Sequence, residues 1–216
     1  LHIHYLPTCR IFKLNLKWRA SKEYGFTINL NTGYWQSKKQ KEEKGEADEI
    51  KDVKLFTSDT ANALYIQPIK SLGLGGGSKG VITLMFAIKR AVENYFQVES
   101  NEIGATIMGD EDAPNILIYE AAEGSLGVLS QIVDNPSLYK AIMTEAYKVC
   151  FFKNDVEEEG EVLPATYDDL LSYYNQYYHQ QIDRNLIRDA LRNLKESAVE
   201  ILSDKSFSSY DEQYHF

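Results

Sequence analysis

Between residues 12 and 18 the apolar positions fall at every second residue, with Phe12, Leu14, Leu16 and Trp18 separated by Lys13, Asn15 and Lys17. This period of two predicts a half-buried strand with a basic outer face. Phe26, Ile28 and Leu30 repeat it, and Asn31-Thr32-Gly33 ahead of Tyr34-Trp35 is turn chemistry, since Asn and Gly tolerate positive φ. A β-hairpin is expected there. Residues 36–52 hold almost nothing apolar and read as a mobile loop. Residues 53–56 and 63–69 read as further strands, broken by a turn at Ser58-Asp59-Thr60. The period then changes. Residues 81–98 carry apolar side chains three and four apart, which predicts an amphipathic central helix beginning near Ser78. Residues 102–108 and 115–119 read as buried strands, and 136–150, 167–178 and 182–202 as helices. The fold class is therefore α+β: an antiparallel N-terminal sheet or hairpin, a central helix with additional strands, and a helical C-terminal third.

These elements divide the chain into a basic, β-rich segment 1–70, a Gly-rich linker 71–80, an α/β to helical domain 81–203 and a tail 204–216. With 216 residues, 44% of them hydrophobic and 25% charged, the composition is that of a soluble globular protein. A core of that size needs neither disulfides nor a structural metal to hold it. The two cysteines, Cys9 and Cys150, exclude a disulfide framework and a four-thiolate zinc site, and they fit a reducing, cytoplasmic setting. No apolar run approaches the roughly 20 residues of a membrane span, so no membrane partner is expected. The chain shows no signal-peptide pattern and begins at Leu1, which reads as a piece cut from something larger.

Charge changes the picture in one respect. A net charge of −9 argues against a surface that coats nucleic acid everywhere. The distribution is uneven, however. Residues 1–41 hold eight Lys and Arg against the single acid Glu23, whereas residues 99–163 hold fourteen acids against Lys140, Lys148 and Lys153. A local basic face on the N-terminal strands survives the acidic total.

Four stretches carry candidate chemistry. In residues 72–80, LGLGGGSKG, Lys79 is followed by Gly80 rather than Ser or Thr, so the phosphate-loop pattern fails and a flexible linker entering a helix is the reading. In residues 120–129, EAAEGSLGVL, the acids Glu120 and Glu123 with Gly124 and Gly127 follow a strand and enter a helix; this is either a tight connection or a loop of functional groups at a sheet edge. On the last helix Arg184, Arg188, Arg192 and Lys195 form a stripe beside the apolar face, either solvated and paired or directed at phosphates. Tyr173, Tyr174, Tyr177 and Tyr178 recur at helical spacing, which favours a core role over base stacking.

Two strings, NILIYEAAEGSLGVL over residues 115–129 and YDDLLSYYNQYYHQQIDRNLIRDAL over residues 167–191, resemble the C-terminal, MrfA-like zinc-binding domain of large DEAD/DEAH-box helicases, including those of phage-defence operons such as DISARM. YLPTCRIFKLNLKWR, with the hairpin ending NTGYW, is similar to the segment preceding that domain. The resemblance covers residues 5–195. It implies a zinc site built partly on a Cys-x-x-Cys pair just before the LLSYYNQ block, but the matching positions here are Thr166 and Asp169, and only Cys150 stands near the expected upstream ligand. No metal is therefore expected. The resemblance also implies that ATP and magnesium belong to motor domains of the same polypeptide, for which this chain has no room.

The leading functional expectation is an accessory domain of an ATP-dependent DNA helicase or translocase that binds DNA weakly, single-stranded or forked, and docks on the motor. Its nucleic-acid-binding candidates are Lys13, Lys17, Arg19 and Trp35 on the N-terminal strands, with Arg184, Arg188 and Arg192 on the last helix. The alternative is a non-catalytic protein–protein interaction module that partners other proteins of a defence or repair complex. A third reading is a magnesium-dependent nuclease working through Glu120 and Glu123 near Asp110 and Asp112.

Overall fold

The structure, a computed structural model, describes residues 1–18, 24–36, 50–122 and 127–200. Its elements are β1 (His2–Asn15), β2 (Phe26–Asn29), β3 (Trp35–Gln36), β4 (Ile50–Val53), β5 (Leu55–Gln67), α1 (Ser78–Phe96), β6 (Ile103–Met108) and β7 (Asn115–Glu120). They are followed by α2 (Val128–Asp134), α3 (Pro136–Phe151), β8 (Phe152–Lys153), β9 (Val156–Glu157) and α4 (Arg188–Glu196). Antiparallel sheets and helices together make the α+β class expected from the sequence. No helix among the described residues is long and apolar enough to cross a membrane.

Two compact units are present, one of residues 1–8 with 62–216 and one of residues 9–61. The sheet runs in the order β1-β5-β7-β6, and the first unit holds β6, β7 and the parts of β1 and β5 within residues 2–8 and 62–67. Register pairs Leu64 with Ile118 and Ile66 with Ile116, and on the other side Ile103 with Glu120 and Ala105 with Ile118. Partners across a ladder share a face. Hence Leu64, Ile66, Ile103, Ile116 and Ile118 present one apolar surface, all buried together with Leu84, Met85 and Ile88 of α1 and Ile142, Met143 and Ala146 of α3 in a single core cluster. Gly104 faces Tyr119 so closely that a Cβ at 104 would stand 2.1 Å from the ring.

Pro7 and Thr8 lie within β1, an edge strand, the place a sheet tolerates a missing donor. Thr8 adopts φ of +49°, and its N–H donates to the Asn62 side chain at 3.0 Å instead of a ladder carbonyl.

In the second unit β2 pairs antiparallel with β3 and β4, and Gly33 takes the positive φ (+74°) the hairpin turn requires. Asn29 accepts the N–H groups of Asn31 and Thr32 through its side chain, closing the turn the sequence signalled.

Several elements differ from the sequence reading. Residues 55–67 form one continuous strand, because Ser58-Asp59-Thr60 lie on an exposed two-stranded stretch of β5 beside β1 that needs no apolar face. The glycines near 75 are a packed turn: Gly75 N–H donates to Leu186 O at 3.1 Å, and a Cβ at Gly76 would meet Leu186 Cδ1 at 2.7 Å. The expected helix at 167–178 is instead a 3-10 segment, Tyr173–Gln181, interrupted at Asn175 (φ −113°), whose buried amide donates to Leu170 O at 2.8 Å. Asp183 accepts the N–H of Asn185 at 3.0 Å and restarts the chain as a second 3-10 turn (Arg184–Ile187), so α4 begins only at Arg188 and ends at Glu196. Most of the loop expected at residues 36–52 and the whole of the tail expected at 204–216 lie outside the described residues.

Candidate functional site

The N-terminal ribbon of the second unit is where cations and aromatic rings meet. Alternation along β1 puts Arg10, Phe12 and Leu14 on one face and Lys13 and Asn15 on the other. Phe12 is exposed, Arg10 stacks its guanidinium 4.9 Å from the Phe12 ring centroid, and Phe56 packs beside Phe12 at 6.2 Å. Lys17 lies 5.5 Å from the ring of exposed Tyr24. Trp18 and Trp35 make edge contacts with Phe26 at 5.1 and 6.0 Å and leave about half of each indole in solvent, at 50% and 45%. Lys13, Leu14, Asn15, Leu55, Phe56 and Thr57 line a shallow groove. Lys13, Lys17 and Trp35 are thus brought into one unit, while Arg19 lies outside the described residues. Arg10, Tyr24 and Phe56 are added by the structure; the two-residue spacing of Arg10 and Phe12 is the signal that marks the first of them.

The C-terminal arginines are placed differently. Arg184 is 5% exposed. Its Nε donates to Leu163 O and its Nη1 to Cys150 O, both at 2.7 Å, and Nη1 lies 3.2 Å from both Glu158 Oε2 and Asp169 Oδ2. Arg188 donates to Glu158 O and Gly160 O at 2.9 Å each and covers the Phe151 ring at 4.0 Å. Arg192, half-exposed, reaches Asp189 Oδ1 at 3.3 Å and the Tyr147 hydroxyl at 3.2 Å. All three direct donors to groups of their own unit, and only Arg192 keeps about half of its side chain in solvent.

Asp169 is the anion of this centre. Its Oδ1 accepts the N–H of Thr166 at 2.7 Å and that of Leu170, and its Oδ2 accepts the Thr166 hydroxyl at 2.7 Å besides facing Arg184. Every lone pair of the carboxylate has a donor. Burial pushes the Cys150 thiol well above its ordinary pKa, the Asp169 charge adds to that, and Arg184 and Arg188 oppose it.

Glu120, from the loop of possible function, is 2% exposed on the buried sheet face. Its Oε1 accepts Leu129 N–H at 3.0 Å, satisfying an orphan donor of α2, and its Oε2 accepts Asn62 Nδ2 at 3.1 Å. Gly127 caps α2 with φ of +64°. Glu123 and Gly124 lie outside the described residues. Among the described residues no three His, Cys, Asp or Glu side chains gather where a metal could be held. The tyrosines expected in a core also split: Tyr173, Tyr174 and Tyr177 are exposed, the last at 84%, and Tyr178 alone packs inward, 5.5 Å from Phe86. Consecutive rings in a short 3-10 segment cannot all face one way.

Residues 84–154 match the family described as the MrfA Zn-binding domain. Among solved structures, the crystal structure of the DUF1998 helicase MrfA bound to DNA aligns with a TM-score of 0.40 and 12% identity, over 91% of this chain and 26% of that one. The chain thus spans about a quarter of that helicase's length. No curated protein matches the chain.

The family implies zinc, and the residues present do not fit it. Cys150 is the only cysteine within the matched stretch, and it is fully buried, with Arg184 donating to its carbonyl at 2.7 Å. Asp169 has no lone pair to offer. His179 directs Nε2 at Ser172 O and Asn175 Oδ1, at 3.0 and 2.9 Å. Thr166, at the other position where the resemblance implies a cysteine, supplies a hydroxyl already donated to Asp169.

Proposed function

We propose that this chain, in which residues 84–154 form an MrfA-like domain, acts as an accessory domain of an ATP-dependent DNA helicase or translocase, docking on its motor domains and helping to hold a nucleic-acid strand. ATP and magnesium belong to the motor. The observation that carries the reading is the ribbon of residues 9–61, where Arg10 and Lys17 lie over exposed aromatic rings and Lys13 lines the adjoining groove. Cations that track phosphates, set among rings on which unpaired bases stack, are the ingredients of a strand-binding surface. Residues 9–61 carry eleven Lys and Arg against eight Asp and Glu, in contrast to twelve against twenty-four in the rest of the chain. The interface therefore belongs to this unit, with Lys13, Lys17 and Trp35 as its contacts; Arg19, on the same basic segment, is proposed with them. Arg192 remains a peripheral phosphate contact, whereas Arg184 and Arg188 act within the fold.

The test is titration of the full chain with single-stranded DNA over a salt series. Both tryptophans of the chain, Trp18 and Trp35, lie in the ribbon unit, so their fluorescence reads that unit directly. The expected result is quenching with an affinity that falls as salt rises, weakened roughly tenfold or more in the Lys13→Glu/Lys17→Glu variant because each lost phosphate contact lowers the salt-dependent term. Absence of binding at low salt would overturn the strand-holding role.

A second reading, a non-catalytic module holding partners in a defence or DNA-repair complex, is favoured by the rings of Tyr173, Tyr174 and Tyr177, which project into solvent from the acidic unit. Retention of partner proteins that survives the Lys13→Glu/Lys17→Glu change but not a triple Tyr→Ala change would select it. The nuclease reading has no such support, since Glu120 is engaged in capping α2.

A further inference from the structure

We infer that the guanidinium of Arg184 takes the place of the zinc ion in this MrfA-like domain, so that the C-terminal end of α3 and the connector after it are cross-linked by a built-in cation rather than a bound one. Cys150 lies at the centre of this arrangement. As the only cysteine within residues 84–154, it marks where a thiolate-held ion of this domain would have to sit. What stands there is a buried positive charge. Arg184 joins three separate stretches of chain: the end of α3 through Cys150 O, the connector through Glu158 and Leu163 O, and the turn at residues 166–170 through Asp169. Its own N–H adds a bond to Pro164 O at 2.8 Å.

This is the task a structural zinc performs, tying separate segments of chain to one charged point. The planar guanidinium can do it because its donors diverge in a fixed fork and keep their charge at any pH the fold survives. The surroundings agree with a resident cation. Asp169 is oriented by Thr166 and Leu170 to face Arg184, and Asn185, next in the chain, clasps Val162 through two hydrogen bonds, at 3.1 and 2.7 Å. A dication in the same place would meet the guanidinium of Arg184, with that of Arg188 close by over Phe151. The inference concerns folding and does not depend on the DNA-binding reading; either can fail alone.

The full chain, purified without added metal, is assayed for zinc by elemental analysis and for thermal stability with and without a strong chelator. The expected result is well under one zinc per chain and a melting temperature the chelator leaves unchanged. Stoichiometric zinc, or a chelator-induced fall in melting temperature, overturns the proposal. Arg184→Met removes the cation and is expected to lower the melting temperature by roughly 10 °C or to prevent folding, since it strands a buried carboxylate. Arg184→Lys keeps a charge but loses the fork. It is expected to fold with a melting temperature several degrees below wild type, and an unchanged value would overturn the stapling role.

Discussion

Arg184 Nη1 lies 3.2 Å from Asp169 Oδ2, and the two side chains are only 6% and 4% exposed. Water therefore does little to screen the pair, and neither ion is tolerable without the other. Asp169→Ala leaves the guanidinium with Glu158, which is 30% exposed, and also removes the acceptor of the Thr166 and Leu170 amides. The expected loss is about 3–5 kcal/mol in urea-induced unfolding. Glu158→Gln, at the wetter end of the network, is expected to cost less than about 1 kcal/mol.

Gly80 sits in the first turn of α1, where Ala would ordinarily be the better helix former by roughly 0.5–1 kcal/mol. Here the sign reverses. A Cβ at residue 80 would stand 2.3 Å from Gly75 O, a backbone atom held in place by the Gly75 N–H bond to Leu186 O. Gly80→Ala is expected to destabilise the chain by about 1–3 kcal/mol, as overpacking does, in the same urea assay. A neutral or stabilising result would show that the turn before α1 is not fixed by Leu186.

Tyr139, a buried residue of α3, has its phenol pKa pushed up to about 12 by burial, which outweighs the opposing hydrogen bond with Ser197. A folded-state pKa above the ordinary value near 10 means that the native state holds the proton more tightly than the unfolded one. That contribution is whole below pH 10 and disappears as pH rises through 12. Stability is expected to decline between those values by about 2–3 kcal/mol on this account, and Tyr139→Phe should flatten that part of the profile in denaturation curves measured against pH. An equally steep alkaline decline in the variant would place its origin elsewhere.

Much of the architecture was legible one residue at a time. The heptad-like apolar spacing of α1, the branched run Ile116-Leu117-Ile118 of β7, the Asn31-Thr32-Gly33 turn and the Asn135-Pro136 start of α3 each state a local preference that the fold satisfies. Alternation along β1 sets which side chains share a face, but the half-buried strand expected over residues 12–18 is not found: Phe12, Leu14, Leu16 and Trp18 are at least half exposed and the strand ends at Asn15. The errors fall where partners distant in sequence decide. Ser58-Asp59-Thr60 carries turn residues, yet the neighbouring β1 keeps that stretch extended. The stripe Arg184, Arg188, Arg192 looks like a solvated helix flank, yet Leu163, Glu158 and Asp169 draw the first of these inward and a 3-10 turn replaces the helix beneath it. Glu120 looks like a loop acid available for chemistry, yet the buried face of the sheet hands it to Leu129 and Asn62.

Periodicity and turn chemistry, which act within a few residues, determined the Asn31-Thr32-Gly33 turn, α1, β6, β7, α3 and the α+β class from the amino-acid order alone. Which charges are buried, which tyrosines are wet and what stands beside Cys150 were decided only by tertiary packing. The desolvation of an ion and the satisfaction of its hydrogen bonds depend on groups brought from other parts of the chain, and no local pattern records them.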